Sequence, residues 1–414
     1  MYTRPAADLA DTPRGREVQE LLRSCVHCGF CLPACPTYRI LGSELDSPRG
    51  RIYLVKQLVE GGPVSAATRE HLDRCLTCRS CESACPSGVQ YGRIIALGRE
   101  LADEQVPRPR AARAGRRLLI GLLSRPALFT PLLRLGQAVR GLLPPGLRAK
   151  VPPRGRTGAY PTLSRARRVV LLEGCVQPGL APQVNLAAAR VLDRLGIGVV
   201  RIRGESCCGA LPAHLSEPER SRELARRNIE ALVPLLDGGA EAIVSTASGC
   251  GAHLKDYGHL LVHDPRYASG AARVANATRD LCELVELEAL RALGPRVAAE
   301  PALIAWQSPC TLQHGQRTST AGRVEALLIA AGYRLAPVAN PNLCCGSAGT
   351  YSILQPKLSG QLRERKLATL LQGEPACIAT ANIGCLEHLR AASPRPVRHW
   401  IELIDAALGE LPAP

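Results

Sequence analysis

Cys25-Val-His-Cys-Gly-Phe-Cys-Leu-Pro-Ala-Cys-Pro36 decides how this chain is read, and Cys75-Leu-Thr-Cys-Arg-Ser-Cys-Glu-Ser-Ala-Cys-Pro86 repeats it. Both runs have the spacing C-x2-C-x2-C-x3-C followed by proline. Two-residue spacers let three thiolates on one tight loop reach three irons of a cube. The proline then turns the chain away, so the fourth thiolate serves a second cube. The spacing predicts two [4Fe–4S] clusters with crossed ligation: Cys25, Cys28, Cys31 and Cys85 on cluster 1, and Cys35, Cys75, Cys78 and Cys81 on cluster 2. Zinc is the competing reading, but it prefers separated pairs of ligands and gives the trailing proline no role. Two cubes that share ligand loops lie close together and leave no open coordination position. They form a one-electron wire, not a catalytic centre.

Between the runs, Ser47 and Pro48 carry the signature of a helix cap and first helical position, and Ile52, Val55, Leu58 and Val59 give that helix an apolar face. A mainly α domain is expected. Arg49 and Arg51 either offset the negative charge of a cluster or lie in water, and the sequence leaves both open.

Further along, the chain repeats itself. Arg168-Val-Val-Leu-Leu-Glu-Gly-Cys175 and Ala302-Leu-Ile-Ala-Trp-Gln-Ser-Pro-Cys310 each begin with a buried-strand run. Helix-like stretches follow at Ala187 to Leu195 and Ala321 to Ala331, then short strands at Gly198 to Ile202 and Tyr333 to Val338. Cys207-Cys208-Gly209 and Cys344-Cys345-Gly346 come next, and each copy closes on a strand ending in Gly-Cys-x-x-His, at Cys250 with His253 and Cys385 with His388. Corresponding landmarks of the two copies are separated by 135, 137, 135 and 135 residues. Alternating strands and helices argue for parallel α/β units. The expected fold class is α+β multidomain: a ferredoxin-type domain (1–103), a basic helical linker (104–166) and two tandem α/β Cys-Cys-Gly domains (167–298 and 299–414). Cys175, Cys207, Cys208, Cys250 and His253, with Cys310, Cys344, Cys345, Cys385 and His388, are candidates for an additional redox or metal centre. A buried small-volume core accounts for the same cysteines equally simply. Cys282 and Cys377 fall outside the repeat and read as core. His71, His214, His259, His263, His314 and His399 lack ligand-like spacing.

Eighteen cysteines without an export signal point to a reducing compartment, where clustered thiols are metal ligands. Net charge is +16, and fifteen basic residues with no Asp or Glu lie between Gln105 and Arg168. This segment places leucines and arginines at near-helical spacing and ends in a Pro-rich linker near Val151 to Ser164. Such a segment suits an anionic membrane surface or an acidic partner, or it is a strap packed across the domains. Its apolar stretch Leu118 to Leu133 is broken by Arg125, Pro126 and Pro131, too short to span a bilayer. Nucleic acid has no recognition motif to support it, and aromatic residues make up only 3% of the chain. No dinucleotide fingerprint, phosphate loop or catalytic triad is present, so no catalytic residue is assigned and substrate chemistry is expected elsewhere.

Taken together, Cys25 through Tyr38, Ser47-Pro-Arg-Gly-Arg-Ile-Tyr-Leu54, His71-Leu-Asp-Arg-Cys-Leu-Thr-Cys78, Leu172-Glu-Gly-Cys175 and Thr246-Ala-Ser-Gly-Cys-Gly251 make the chain resemble the iron–sulfur subunits of bacterial glycolate oxidase. Its cousins serve anaerobic glycerol-3-phosphate dehydrogenase, lactate utilisation and heterodisulfide reductase. The resemblance implies the electron-transfer subunit of an oxidoreductase acting on CH–OH groups. FAD-binding partner subunits would oxidise glycolate to glyoxylate, and electrons would pass to a quinone-type acceptor. It also implies a cytoplasmic protein, peripheral on the cytoplasmic face of the inner membrane. In cousins the repeat ends in Cys-x-x-Cys and holds a non-cubane cluster; here His253 and His388 stand in the last place. Other flavin-linked dehydrogenases, a thiol/disulfide enzyme and a nucleic-acid-binding sensor remain as alternatives.

Overall fold

The computed structural model describes residues 1–144, 148, 151–155, 157–162, 164–202, 207–295, 302–316 and 322–409. The expected linker over 151–164 therefore includes two residues, Arg156 and Leu163, outside the described set. Ala321, where the second repeat's helix was expected to begin, lies outside it too.

The N-terminal part is helical, as its apolar spacing requires. Four helices, α1 (Pro13–Arg23), α2 (Pro48–Val59), α3 (Ala66–Asp73) and α4 (Tyr91–Gln105), surround one core. The Ser47 hydroxyl accepts from the Gly50 amide at 2.9 Å, and Pro48 opens α2. Ile52, Val55, Leu58 and Val59 then pack with Ile94, Ile95 and Leu101 of α4. The two cysteine runs form loops at one end of this bundle, so helix packing holds them in register.

Two amphipathic helices follow, α5 (Arg110–Leu123) and α6 (Pro126–Ala138), bent by 90° at the break between them. Among the described residues no single helix is long and apolar enough to cross a membrane.

The repeats become two four-stranded parallel sheets with the same topology. Strands β1 (Arg167–Leu172), β2 (Ile197–Arg201), β3 (Ala242–Ser245) and β4 (Thr278–Asp280) stand in the order β2-β1-β3-β4. Strands β5 (Leu303–Gln307), β6 (Arg334–Leu335), β7 (Cys377–Thr380) and β8 (Val397–His399) stand as β6-β5-β7-β8. Val169 pairs with Val199 and Ala242, and Ile304 with Leu335 and Cys377. The first sheet carries α7 (Pro182–Arg194), α8 (Pro218–Asp237) and α9 (Ser248–Lys255). The second carries α10 (Arg323–Ala330), α11 (Pro356–Leu370), α12 (Ile383–Arg390) and α13 (Trp400–Ala407). One core spans both sheets: Val169, Val191 and Val244 pack with Trp306, Leu327 and Trp400. Arg190 on α7 donates to Asp405 on α13 at 3.1 Å. Cys282 and Cys377 belong to this core, as their absence from the repeat suggests.

Candidate functional site

Open parallel sheets collect functional groups outside the carboxyl ends of their strands, where the strand order reverses. The repeat cysteines follow that rule. Cys175 comes just after β1, Cys207 and Cys208 after β2, and Cys250 in the first turn of α9 beyond β3. Cys207 and Cys208 are buried in one cluster with the partly buried Cys175 and Cys250. The second repeat gathers the same four: Cys310 packs with Cys344, Cys345 packs with Cys385, and the Cys345 and Cys385 sulfurs are 3.1 Å apart.

The glycine of each Cys-Cys-Gly has φ of +95° (Gly209) or +87° (Gly346), and a Cβ there would strike the carbonyl oxygen of Ser221 or Ser359. Those two serines also meet the histidines. Ser221 Oγ donates to the Gly209 carbonyl at 2.9 Å and sits 3.2 Å from His253 Nε2; Ser359 Oγ donates to Gly346 at 2.8 Å and sits 3.1 Å from His388 Nε2. Each hydroxyl links a histidine ring to the Cys-Cys-Gly turn, and which of the two atoms donates depends on the ring tautomer. In this arrangement His253 and His388 brace the Cys-Cys-Gly turn. The sequence signal of this bracing is a serine 12 or 13 residues beyond each glycine.

The N-terminal thiols lie around two cavities that share a wall. Cys25, Cys28, Cys31 and Cys85 border one, Cys35, Cys75 and Cys78 border the other, and Cys81 touches both. Each cavity therefore takes thiols from both runs. The two loops are superposable in conformation: His27 and Thr77 have φ of +57° and +51°, and Gly29 and Arg79 have +86° and +59°. Left-handed residues of this kind turn backbone amides inward into an anion-binding concavity. The Thr77 amide points at Cys75 Sγ from 3.3 Å.

These donors fit iron–sulfur clusters. Among the described residues no three His, Cys, Asp or Glu side chains converge closely enough for a single metal ion, as tetrahedral zinc would require. Burial pushes the Cys31 thiol up to about 11 and those of Cys78 and Cys81 well above their usual range. Ionising several such thiols around one cavity needs multivalent cations in their midst, which cluster irons provide.

The two arginines left open by the sequence divide. Arg49 remains partly exposed, paired to Glu44 at 2.8 Å beside the first cavity. Arg51 is buried beside the second, with Nη1 3.1 Å from Thr37 Oγ1 and 4.0 Å from Cys35 Sγ, Nε donating to the His71 carbonyl, and Nη2 on Asp46. Arg99 is the cation the sequence did not flag. It is buried on the carbonyls of Leu72 and Cys75, at 3.0 and 2.6 Å, and is the mid-helix arginine of a face otherwise apolar.

The second cavity and the second thiol row touch. Leu76 and Cys78 pack against Cys310, Cys344, Tyr351, Leu358 and Leu362. Among the described residues the first thiol row has no such contact. The N-terminal domain meets the first repeat instead across a cleft of about 1020 Å³, bridged by the Arg79–Asp256 and Glu17–His259 pairs and by Thr77 with His214.

Two joined cluster loops with buried cations beside them define an iron–sulfur electron-transfer protein. Residues 21–89 match the 4Fe-4S dicluster domain, and residues 169–255 and 304–390 each match the cysteine-rich domain. The chain is 47% identical over 99% of both lengths to the glycolate oxidase iron-sulfur subunit of Escherichia coli K12. It is 32% identical to the probable glycolate oxidase iron-sulfur subunit of Bacillus subtilis, covering 89% of this chain and 88% of that one. Lactate utilization protein A of an Exiguobacterium species is 26% identical over 57% of this chain and 96% of its own length. The chain belongs to the glycolate oxidase iron–sulfur subunit family.

Proposed function

We propose that this chain relays electrons within a glycolate-oxidising complex, from FAD on partner subunits to a quinone-type acceptor at the cytoplasmic face of the inner membrane. When bound, each [4Fe–4S] group supplies a one-electron couple. In this reading Cys25, Cys28, Cys31 and Cys85 hold one cluster and Cys35, Cys75, Cys78 and Cys81 the other. The division of labour follows 1–103 for the clusters, 104–166 as the basic connection, and 167–298 and 299–414 as the repeat domains. Helix packing holds the two loops at a fixed separation, Arg51 and Arg99 place positive charge at the second set of thiols, and the second repeat shields that set from water. The observation that carries the reading is the pair of adjoining cavities, each bordered by thiols of both runs.

Cys28→Ser tests it. Acceptor-linked turnover should vanish while glycolate still reduces the partner flavin, and unchanged quinone reduction would refute the relay. Co-purification of the flavoprotein, followed by assay of 2-hydroxy acids, separates glycolate from lactate and glycerol 3-phosphate. The close Cys345–Cys385 sulfurs favour a second reading, in which a repeat holds a further redox centre. Iron counting decides between them: about eight iron atoms fit two cubes, and clearly more supports the further centre.

A further inference from the structure

We infer that α6 and the turn after it seat this chain on an anionic lipid surface. The inference rests on the membrane placement just proposed and assigns that placement to particular side chains. Leu128, Leu132, Leu135, Val139 and Leu142 follow one another at spacings of four, three, four and three residues, so they share one side of α6 and its continuation. All five are exposed: 47%, 55%, 63%, 38% and 88%. Ala127, Pro131 and Ala138 lie exposed among them, which widens the stripe into a face.

The opposite side of α6 is apolar as well and already has a partner. Phe129, Thr130 and Leu133 lie so close over Gly179 that a Cβ there would meet all three within 3.3 Å. A helix with an apolar stripe on each of two sides has two faces to cover. This one has one side against the protein and the other uncovered. A contiguous exposed apolar patch on a soluble surface marks an interaction site.

Charge selects the occupant. Arg110, Arg125 and Arg134 are exposed and make no ion pair among the described residues, and no Asp or Glu occurs from 105 to 168. An apolar face edged by arginines matches the boundary between acyl chains and anionic headgroups. A strict two-in-seven seam with complementary charges at its edges would instead suit a partner helix; the width of this face and its single sign of charge favour lipid. The 90° break between α5 and α6 excludes a straight spanning helix and leaves α6 to lie along the surface.

Sedimentation of the intact, anaerobically prepared chain with vesicles tests this. Binding should be strong to phosphatidylethanolamine–phosphatidylglycerol vesicles and weak to phosphatidylcholine alone. The double variant Leu132→Asp/Leu135→Asp changes two exposed side chains, so iron content and soluble-acceptor activity of the complex should hold. It should weaken vesicle binding by roughly a hundredfold, about tenfold for each leucine withdrawn from lipid. Arg125→Gln and Arg134→Gln should each weaken it about fivefold, an effect that salt removes. Equal binding of wild type and the double variant, or equal binding to neutral and anionic vesicles, overturns the inference. So does protection of α6 from hydrogen exchange by the flavin subunits but not by vesicles. Loss of vesicle binding with the Cys28→Ser phenotype intact would leave the relay standing, so the two failures are distinguishable.

Discussion

The two repeats share a fold and a row of four cysteines, yet they are attached to the dicluster domain by different physics. The second is joined by a buried apolar contact, Leu76 and Cys78 on Cys344, Tyr351 and Leu362, reinforced by the Tyr351 hydroxyl donating to the Arg74 carbonyl at 3.1 Å. The first is joined by ion pairs across an open cleft, where water and salt screen them. Their interiors differ in parallel. On α8 of the first repeat, Asn228 donates to the Cys207 carbonyl and to the Tyr257 hydroxyl, which donates to the Cys208 carbonyl at 2.6 Å. The corresponding place on α11 of the second repeat holds Lys366, fully buried, its ammonium on the Pro341 carbonyl, and Ala392 stands where the tyrosine would be. The first row is thus bordered by neutral hydrogen bonds, and the second by a buried lysine whose ammonium has its pKa pushed down by burial. The lesson is that a repeated motif does not mean a repeated role. Contact with the wire singles out the second copy.

The sharpest way to break this comparison is at Arg51. Arg51 and Asp46 are each 1% exposed, and Asp46 is also held by Arg74 at 3.2 Å and His71 at 3.1 Å. Arg51→Met leaves the carboxylate buried with its best partner gone, which costs about 3–5 kcal/mol. Because Arg74 carries the Tyr351 bond, loosening should spread to the second repeat. Hydrogen exchange on the anaerobic holoprotein should speed up over 351–362 and stay unchanged over 218–237. Equal loosening of both repeats would show that their attachments are alike after all.

A smaller effect probes the first interior. Tyr257→Phe removes one hydroxyl from between Asn228 and the Cys208 carbonyl and leaves buried polar atoms unpaired, a loss of about 1–3 kcal/mol. The denaturant midpoint should fall with no change in slope, and cluster spectra should not move. A spectral change would mean that the first thiol row is electrically connected to the clusters.

Much of this was readable from the chain itself. The near-constant offset exposed the repeat because both copies use the same strand ends to place the same thiols. Ser47 and Pro48 set the start of α2 because capping is a local interaction. The fates of Arg49 and Arg51 were not readable. They lie two residues apart on one helix, and only the packing of α3 and of the loop at Thr37 decides which is buried. The unequal attachment was also hidden. It joins residues far apart in sequence, such as Arg74 with Tyr351 and Glu17 with His259, and no periodicity reports such pairs. The bonds of His253 and His388 to Ser221 and Ser359 were not legible either, because spacing registers side-chain type and not which distant neighbour a ring meets.

The mildest test separates the two attachments by acid. Glu17 on α1 reaches across the cleft to His259, and its carboxyl is held down to about 2, first by that hydrogen bond and then by Arg93, against the opposing effect of burial. A carboxyl lowered on folding contributes stability above its ordinary value of about 4.5, and that contribution fades as pH falls toward 2. Over that window the first repeat should loosen from the dicluster domain while the second, held by apolar contact, does not. Glu17→Gln should produce the same loosening at neutral pH, worth less than about 1 kcal/mol because the pair is partly solvated, and added salt should mimic it in the wild type. Crosslinking between α1 and the segment 257–264 measures the effect directly. If acid, salt and Glu17→Gln all leave that crosslink unchanged, the cleft is held by something other than its ion pairs.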